Sequence, residues 1–162
     1  MYHMYSIRVI TPNDNAFIEK IIKEALEEHN AALPGTAYFD KQLGELSKVY
    51  EESGVEYFIL EENNKVIGGA GIGKLIGADD SVCELQKIYL STDARGKGYG
   101  EKVLKHCLTF AKDEGYSKCY LETMPELVKG VALYERLGFK NLEAPLGNTS
   151  HHSCTIWMIK EL

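Results

Sequence analysis

Nothing in the sequence marks a route into or across a membrane. No run of about eighteen apolar residues occurs, and Met1–Ser6 lacks the basic and apolar regions of a secretory leader. The chain is therefore expected in the cytoplasm. Cysteine is scarce as well. Cys83, Cys107, Cys119 and Cys154 are widely spaced, with no C-x-x-C pair, so neither a zinc cage nor a disulfide framework is expected, and no metal site is assigned. Each has apolar neighbours, where a free thiol behaves as a small hydrophobe. Basic residues are outnumbered, 18 Lys and Arg against 24 Asp and Glu, for a net charge of −6. That balance argues against a nucleic-acid partner, which rewards basic stripes, and is compatible with a cationic small substrate. Internal repeats, linkers and low-complexity stretches are missing too, so residues 1–162 read as one domain. This length buries a sizeable core without covalent staples, and 44% hydrophobic with 26% charged residues is an ordinary globular composition.

What is present alternates between two periods. Ser6–Ile10 reads as a strand stopped by Thr11-Pro12, a cap followed by a residue suited to a first helical turn. Phe17, Ile18, Ile21, Ile22, Ala25 and Leu26 then recur at helical spacing, to about Asn30. A loop containing Pro34-Gly35 follows, carrying Tyr38 and Phe39, aromatics that either line an acceptor pocket or pin the loop. Leu43, Leu46, Val49 and Tyr50 predict a second helix. Glu56–Glu61 and Lys65–Gly73, separated by Glu62-Asn63-Asn64, form a hairpin. Its second strand is rich in glycine, a sign of a bulge or of close approach by another part of the chain. Val82–Leu90 is the fourth strand. A helix with Val103, Leu104, Cys107, Leu108 and Ala111 on one face ends at Gly115. Lys118–Thr123 is a strand, Glu126–Leu137 a helix closed by Gly138, Phe139 the start of a further strand, and Cys154–Lys160 the last. The order is β-α-α-β-β-β-α-β-α-β-β.

The chemistry concentrates where the fourth strand delivers Arg95-Gly96-Lys97-Gly98-Tyr99-Gly100 onto a helix N-terminus. Bare amides and the helix dipole converge there, which suits a phosphate. The Walker pattern is absent, because no Lys-Ser or Lys-Thr pair follows a suitably placed glycine. The dinucleotide pattern fails by one position: Gly96, Gly98 and Gly100 give G-x-G-x-G, and about forty residues after Glu122 cannot complete a doubly wound sheet.

The turn matches [QR]-x-x-G-x-[GA], and Ala132-Leu133-Tyr134-Glu135-Arg136-Leu137-Gly138-Phe139 matches L-Y-x-x-x-G-F about thirty-five residues downstream. With both motifs in order, the chain resembles the GNAT superfamily of N-acetyltransferases over essentially its whole length. The resemblance implies a single α/β (α+β) domain with a mixed central sheet of about seven strands and flanking helices. It implies transfer of an acetyl group from acetyl-CoA to an amine of a small molecule or peptide by direct attack in a ternary complex, by a monomer or homodimer. The contrasting reading is a non-catalytic acyl-CoA-binding or regulatory domain of the same fold, against which Tyr134 argues.

By resemblance, the strand carrying Ile88, Tyr89 and Leu90 splays from its neighbour and pairs with the pantetheine arm, although the residues alone read as core. The backbone from Gly96 to Gly100, Tyr99 included, would receive the pyrophosphate, with Arg95 and Lys97 adding charge; a solvated cation is the alternative for Lys97. Tyr134 would protonate the departing sulfur, against a core tyrosine sharing a face with Leu127 and Val131. Glu84 is the candidate base or amine-orienting group, since a mid-strand glutamate needs a partner; a salt-bridge role competes, and Glu122 is a second choice. His151 and His152, read as a strand-end pair facing opposite ways, give a polar cluster or one wall of the acceptor cleft. Tyr57, Tyr89 and Trp157 also read as core. One departure stands out: Leu127 and Gly130 occupy positions often held by Asn and Ala in the superfamily, so a side-chain contact from that Asn does not carry over. Gly130 instead lets the cofactor or a strand come close.

Overall fold

A computed structural model describes residues 4–162; the leader reading touches residues 1–3, which lie outside the described residues. The described residues form one seven-stranded sheet in the order β1-β2-β3-β4-β5-β7-β6. β1 (Tyr5–Val9), β2 (Glu56–Glu62), β3 (Lys65–Lys74) and β4 (Val82–Leu90) are an antiparallel meander. β5 (Lys118–Thr123) joins β4 in parallel, as a strand reached through a crossover helix must, and β7 (Ile156–Glu161) inserts between β5 and β6 (Lys140–Leu142).

Helices cover both faces, so β2 is apolar without alternation: Tyr57, Phe58, Ile59 and Leu60 are all buried. Tyr57 and Ile59 pack with Ile18, Ile22 and Leu26 of α1 (Asn15–Glu28). Phe58, on the opposite face, packs with Val103, Leu104 and Cys107 of α3 (Tyr99–Asp113), in a cluster that includes Tyr134 of α4 (Val128–Arg136).

Some boundaries differ from the sequence reading. The second helix shrinks to α2 (Leu46–Val49), because Leu43–Glu45 winds as a tighter 3₁₀ turn. There, a Cβ on Gly44 would lie 2.9 Å from the Glu19 carboxylate. α4 starts at Val128 rather than Glu126. β7 starts at Ile156, since the Cys154 amide closes a turn onto the His151 carbonyl at 3.0 Å. His151 and His152 therefore lie in a turn, where the opposed-face argument for a strand does not apply.

Two irregularities in β4 shape everything that follows. The pairing with β3 slips between Gly69 (opposite Tyr89) and Gly71 (opposite Gln86), and Lys87 adopts a left-handed φ of 51°. This is a bulge, and the Tyr57 hydroxyl donates to the Lys87 carbonyl at 2.7 Å. β4 and β5 pair only at Val82, Cys83 and Glu84. Beyond Glu84 the two strands part, and that edge of β4 has no strand beside it.

Candidate active site

A cleft of about 520 Å³ opens where β4 loses its neighbour, lined by Ile88, Tyr89 and Leu90, by the glycine turn, and by Gly130, Leu133 and Tyr134 of α4. Gly96 and Gly98 have φ of 77° and 79°, and a Cβ on either would meet nothing within 4 Å. Their glycine identity answers to backbone conformation and open space, not to packing. Gly98 caps α3 without any side-chain hydrogen bond. The 15-residue helix thus presents bare amides and its positive end to the cleft, and this open cradle fits a diphosphate.

The two basic residues of the turn are engaged differently. Arg95 lines the cleft, donates from Nη1 to both Glu28 oxygens at 2.7 Å, and reaches the Leu90 carbonyl from Nη2 at 3.2 Å. It straps the end of β4 to the end of α1, and its guanidinium holds the Glu28 carboxyl below the usual range. Lys97 pairs with Glu62 at 3.1 Å, outside the residues that line the cleft. Tyr99 donates to the same glutamate, which pushes its phenol up to about 12.

A second, smaller cavity of about 80 Å³ lies beyond Tyr134 and contains the charged groups. Glu84 is only 7% exposed. Gln86 donates from Nε2 to its Oε1 at 2.6 Å, and no other hydrogen bond to Glu84 occurs among the described residues. Burial pushes the Glu84 carboxyl up, more than the bond from Gln86 holds it down; the charge of Glu122 raises it further. Glu122 is fully engaged, accepting from Tyr120 at 2.6 Å on one oxygen and from Thr149 on the other. Asp40 is engaged too, with His151 Nε2 and Lys87 Nζ each at 2.9 Å. Of these three carboxylates, Glu84 alone keeps an oxygen without a protein partner.

Ile88, Tyr89, Leu127 and Tyr134 line both cavities. Tyr134 is buried, with its ring within 4 Å of where a Gly130 Cβ would stand and edge-on to Phe139 at 5.9 Å between centroids. Its hydroxyl has no protein hydrogen bond among the described residues. Burial pushes the phenol well above its ordinary value, so it is protonated at neutral pH. Gly130 gives room to this ring as well as lining the cleft.

Sequence reasoning missed several neighbours. Lys87, Asp40 and Tyr50 carried no local signal, being joined to their partners only by the fold. Glycines in β3 were a usable clue, since Gly71 and Gly73 each face a polar side chain. The loop aromatics follow the pinning alternative: Tyr38 donates to Glu27 at 2.6 Å and packs against the α1 cluster, Phe39 is 57% exposed, and Thr36 and Ala37 line the small cavity instead. Tyr57 is core, whereas Tyr89 belongs to both cavities. His151 lines the small cavity, and His152 sits over Gly35, where a Cβ would be 2.5 Å from the ring.

Comparison with known proteins gives a consistent picture. The acetyltransferase (GNAT) family model matches residues 18–139. An uncharacterized N-acetyltransferase of Escherichia coli K12, YjgM, is 38% identical over 157 residues, 96% of this chain and 94% of its own length. Human N-acetyltransferase 8B is 34% identical over 119 residues, 68% of this chain; the match spans 52% of that longer protein. Among solved structures, a GNAT-family acetyltransferase from Staphylococcus aureus Mu50 superposes with a TM-score of 0.87 at 17% identity, covering 98% of this chain and 99% of its own. The PaiA N-acetyltransferase of Thermoplasma acidophilum in complex with coenzyme A does so at 0.76 and 18%, covering 98% and 99%. At such identities the likeness concerns the fold.

Proposed function

Since the chain belongs to the GNAT family of acetyltransferases, we propose that it transfers an acetyl group from acetyl-CoA to the amine of a small molecule or peptide by direct attack in a ternary complex. The enzyme is an acyltransferase with acetyl-CoA as co-substrate. The observation that carries the finer reading is the meeting of two cavities at Tyr134: a long cleft ending in bare helix amides and a small cavity holding a buried carboxylate.

Acetyl-CoA supplies the acetyl group as a thioester. The amides of Gly96 to Gly100 receive its pyrophosphate, and the free edge of β4 at Ile88 and Leu90 offers backbone groups to the pantetheine arm, with Tyr89 beside it. Two proton problems remain for the side chains, because an amine of pKa about 10 must lose a proton to attack and a thiol of pKa about 8.5 must leave. Glu84 takes the proton from the amine nitrogen. Its open oxygen favours it over Glu122, and its raised pKa makes it a stronger base than an exposed carboxylate while it stays ionised above that value. Tyr134 gives its phenolic proton to the departing sulfur as the carbon–sulfur bond breaks and the carbon–nitrogen bond forms, and the second proton that the nitrogen sheds on becoming an amide restores the phenol. The open oxygen of Glu84 in the small cavity suits a cationic amine.

The test is thiol release from acetyl-CoA with a panel of amines, in the wild type and Tyr134→Phe. A rate loss of about 10²-fold or more, with acetyl-CoA affinity retained, is expected for removal of a general acid. An unchanged rate would take Tyr134 out of that role.

A further inference from the structure

We infer that Tyr50 and Gln86 are a positioning relay that holds the Glu84 carboxylate at the acceptor cavity, and that Gly71 and Gly73 lack side chains to make room for it. This rests on the reading of Glu84 as the base and extends it to Gln86, which shares the small cavity, and to Tyr50, Gly71 and Gly73, which line neither cavity.

The geometry is a three-member chain. The Tyr50 hydroxyl donates to Gln86 Oε1 at 2.5 Å, and Gln86 Nε2 donates to Glu84 Oε1 at 2.6 Å. Tyr50 follows α2 and is buried against Tyr57, with ring centroids 5.3 Å apart. Gln86 uses both ends of its amide: the ionised carboxylate only accepts, so the NH₂ faces Glu84, and the Tyr50 hydroxyl donates to the carbonyl and holds the amide from its other end. A reversed amide would turn its oxygen onto a negative charge.

β3 is built around this chain. Gly73 pairs with Glu84 across the sheet, and Gly71 with Gln86. A Cβ at Gly73 would stand 2.5 Å from Gln86 Oε1 and 2.6 Å from its Nε2; one at Gly71 would stand 3.0 Å from the Tyr50 hydroxyl. Glycine weakens a strand interior, and these two stand where a side chain would press on Gln86 and on the Tyr50–Tyr57 pair, Tyr57 Cδ2 being 2.7 Å from a Cβ at Gly71.

A merely structural role would favour an apolar residue over a buried glutamate, because desolvating a carboxylate is costly without full pairing. Here only one oxygen is tied, and the other is left to the cavity. The titratable groups around Glu84 are Glu122 and Tyr120 of β5, Lys87 of β4, His151 and Cys154 from the connection ahead of β7, Tyr50 beyond α2, and Tyr134 of α4. Among the described residues none of these groups hydrogen-bonds the carboxylate and Gln86 does, so its removal leaves burial and Glu122 less opposed.

The experiment is the pH profile of kcat/KM for Gln86→Leu, Tyr50→Phe and Gly73→Ala, beside wild type and Glu84→Gln, with thermal unfolding to verify that each variant is folded. In Gln86→Leu the acidic limb is expected to move up by about one pH unit, the scale of one hydrogen bond to a charged group. At a pH below the limb that is a loss of about tenfold, with KM for acetyl-CoA unchanged. Tyr50→Phe, which removes one hydroxyl, should move the limb the same way by less, and keeps the relay testable if the larger substitution does not fold. Gly73→Ala should reproduce the shift by displacing the amide from across the sheet. A pH-independent loss in Gln86→Leu and Tyr50→Phe, with the limb still abolished by Glu84→Gln, overturns the relay and leaves Glu84 as the base. A limb that survives in Glu84→Gln overturns both.

Discussion

His151 Nε2 lies 2.9 Å from Asp40 across 111 residues of chain, fastening the connection between β6 and β7 onto the loop ahead of α2. The amide of Ser153 donates to the Gly35 carbonyl at 3.3 Å, and its hydroxyl to the Pro34 carbonyl, so the same two loops are tied again. Both loops contribute walls to the small cavity through Thr36, Ala37, His151 and Cys154.

The tie has a pH signature. The hydrogen bond that His151 donates to Asp40 raises the His151 pKa against the effect of burial. Its stabilisation is therefore full below the ordinary histidine value of about 6.5 and is lost as pH rises through the raised folded value. Asp40 runs the other way: burial pushes it up, but the bond from His151 and the charge of Lys87 hold it lower, so its share is lost as pH falls through that lowered value. His151→Asn should lower the melting temperature by about 2–6 °C at pH 6. The gap should narrow toward pH 9, and an equal gap at both pH values would contradict this linkage.

The bulge in β4 hangs on a hydroxyl. Tyr57 is fully buried and donates to the Lys87 carbonyl at 2.7 Å. Tyr57→Phe leaves that carbonyl without its partner, at a cost of about 1–3 kcal/mol. We expect a lower melting temperature together with a raised KM for acetyl-CoA, because Ile88 follows the bulge directly. A loss of stability with KM unmoved would show that the bulge holds its shape without the bond.

Two left-handed glycines separate backbone strain from binding. Gly98 and Gly115 stand at opposite ends of α3, with φ of 79° and 97°, and a Cβ on either meets nothing within 4 Å. Alanine at either should destabilise by about 1–2 kcal/mol through the left-handed conformation. Only Gly98→Ala should also weaken acetyl-CoA binding, by about tenfold, a difference of about 1.4 kcal/mol. Isothermal titration of the two variants measures the contrast, and equal affinities would remove Gly98 from the phosphate cradle.

Arg95 and Lys97 should differ although both belong to the turn. Arg95 faces the cleft and braces Leu90, whereas Lys97 pairs with Glu62 beside it. Arg95→Ala is expected to raise the Kd for acetyl-CoA more than Lys97→Ala, and both differences should shrink in high salt as charges are screened. The opposite ranking would place the Lys97 charge on the cofactor.

Much of the architecture was legible in the sequence because it is locally encoded. The order of eleven elements, the hairpin at Asn63-Asn64 and the turn that opens α3 each follow from periodicity or from glycine in a left-handed conformation. Boundaries slipped where tertiary hydrogen bonding overrode the pattern. Leu43 to Tyr50 carries helical spacing but winds as a 3₁₀ turn and one α turn. Cys154 belongs by composition to the last strand, yet its amide is spent on His151.

For the candidate site, the sequence by itself determined the parts that lie within one continuous segment, the glycine turn and the strand ahead of it, while Tyr134 was singled out by the resemblance of its motif to a family signature. Spacing along the chain sets the turn and the strand, since each needs only its neighbours to adopt its conformation. The sequence ranked Glu84 above Glu122, two glutamates on adjacent strands, without showing how either is bonded. The tertiary structure supplied that difference, by bringing Tyr120 and Thr149 onto both oxygens of Glu122 and leaving an oxygen of Glu84 open. Nor could the sequence find Tyr50 beside Gln86, 36 residues apart, or Asp40 beneath His151. Hydrogen bonds between distant residues depend on sheet register and loop closure, and those are decided by the packing of the whole domain.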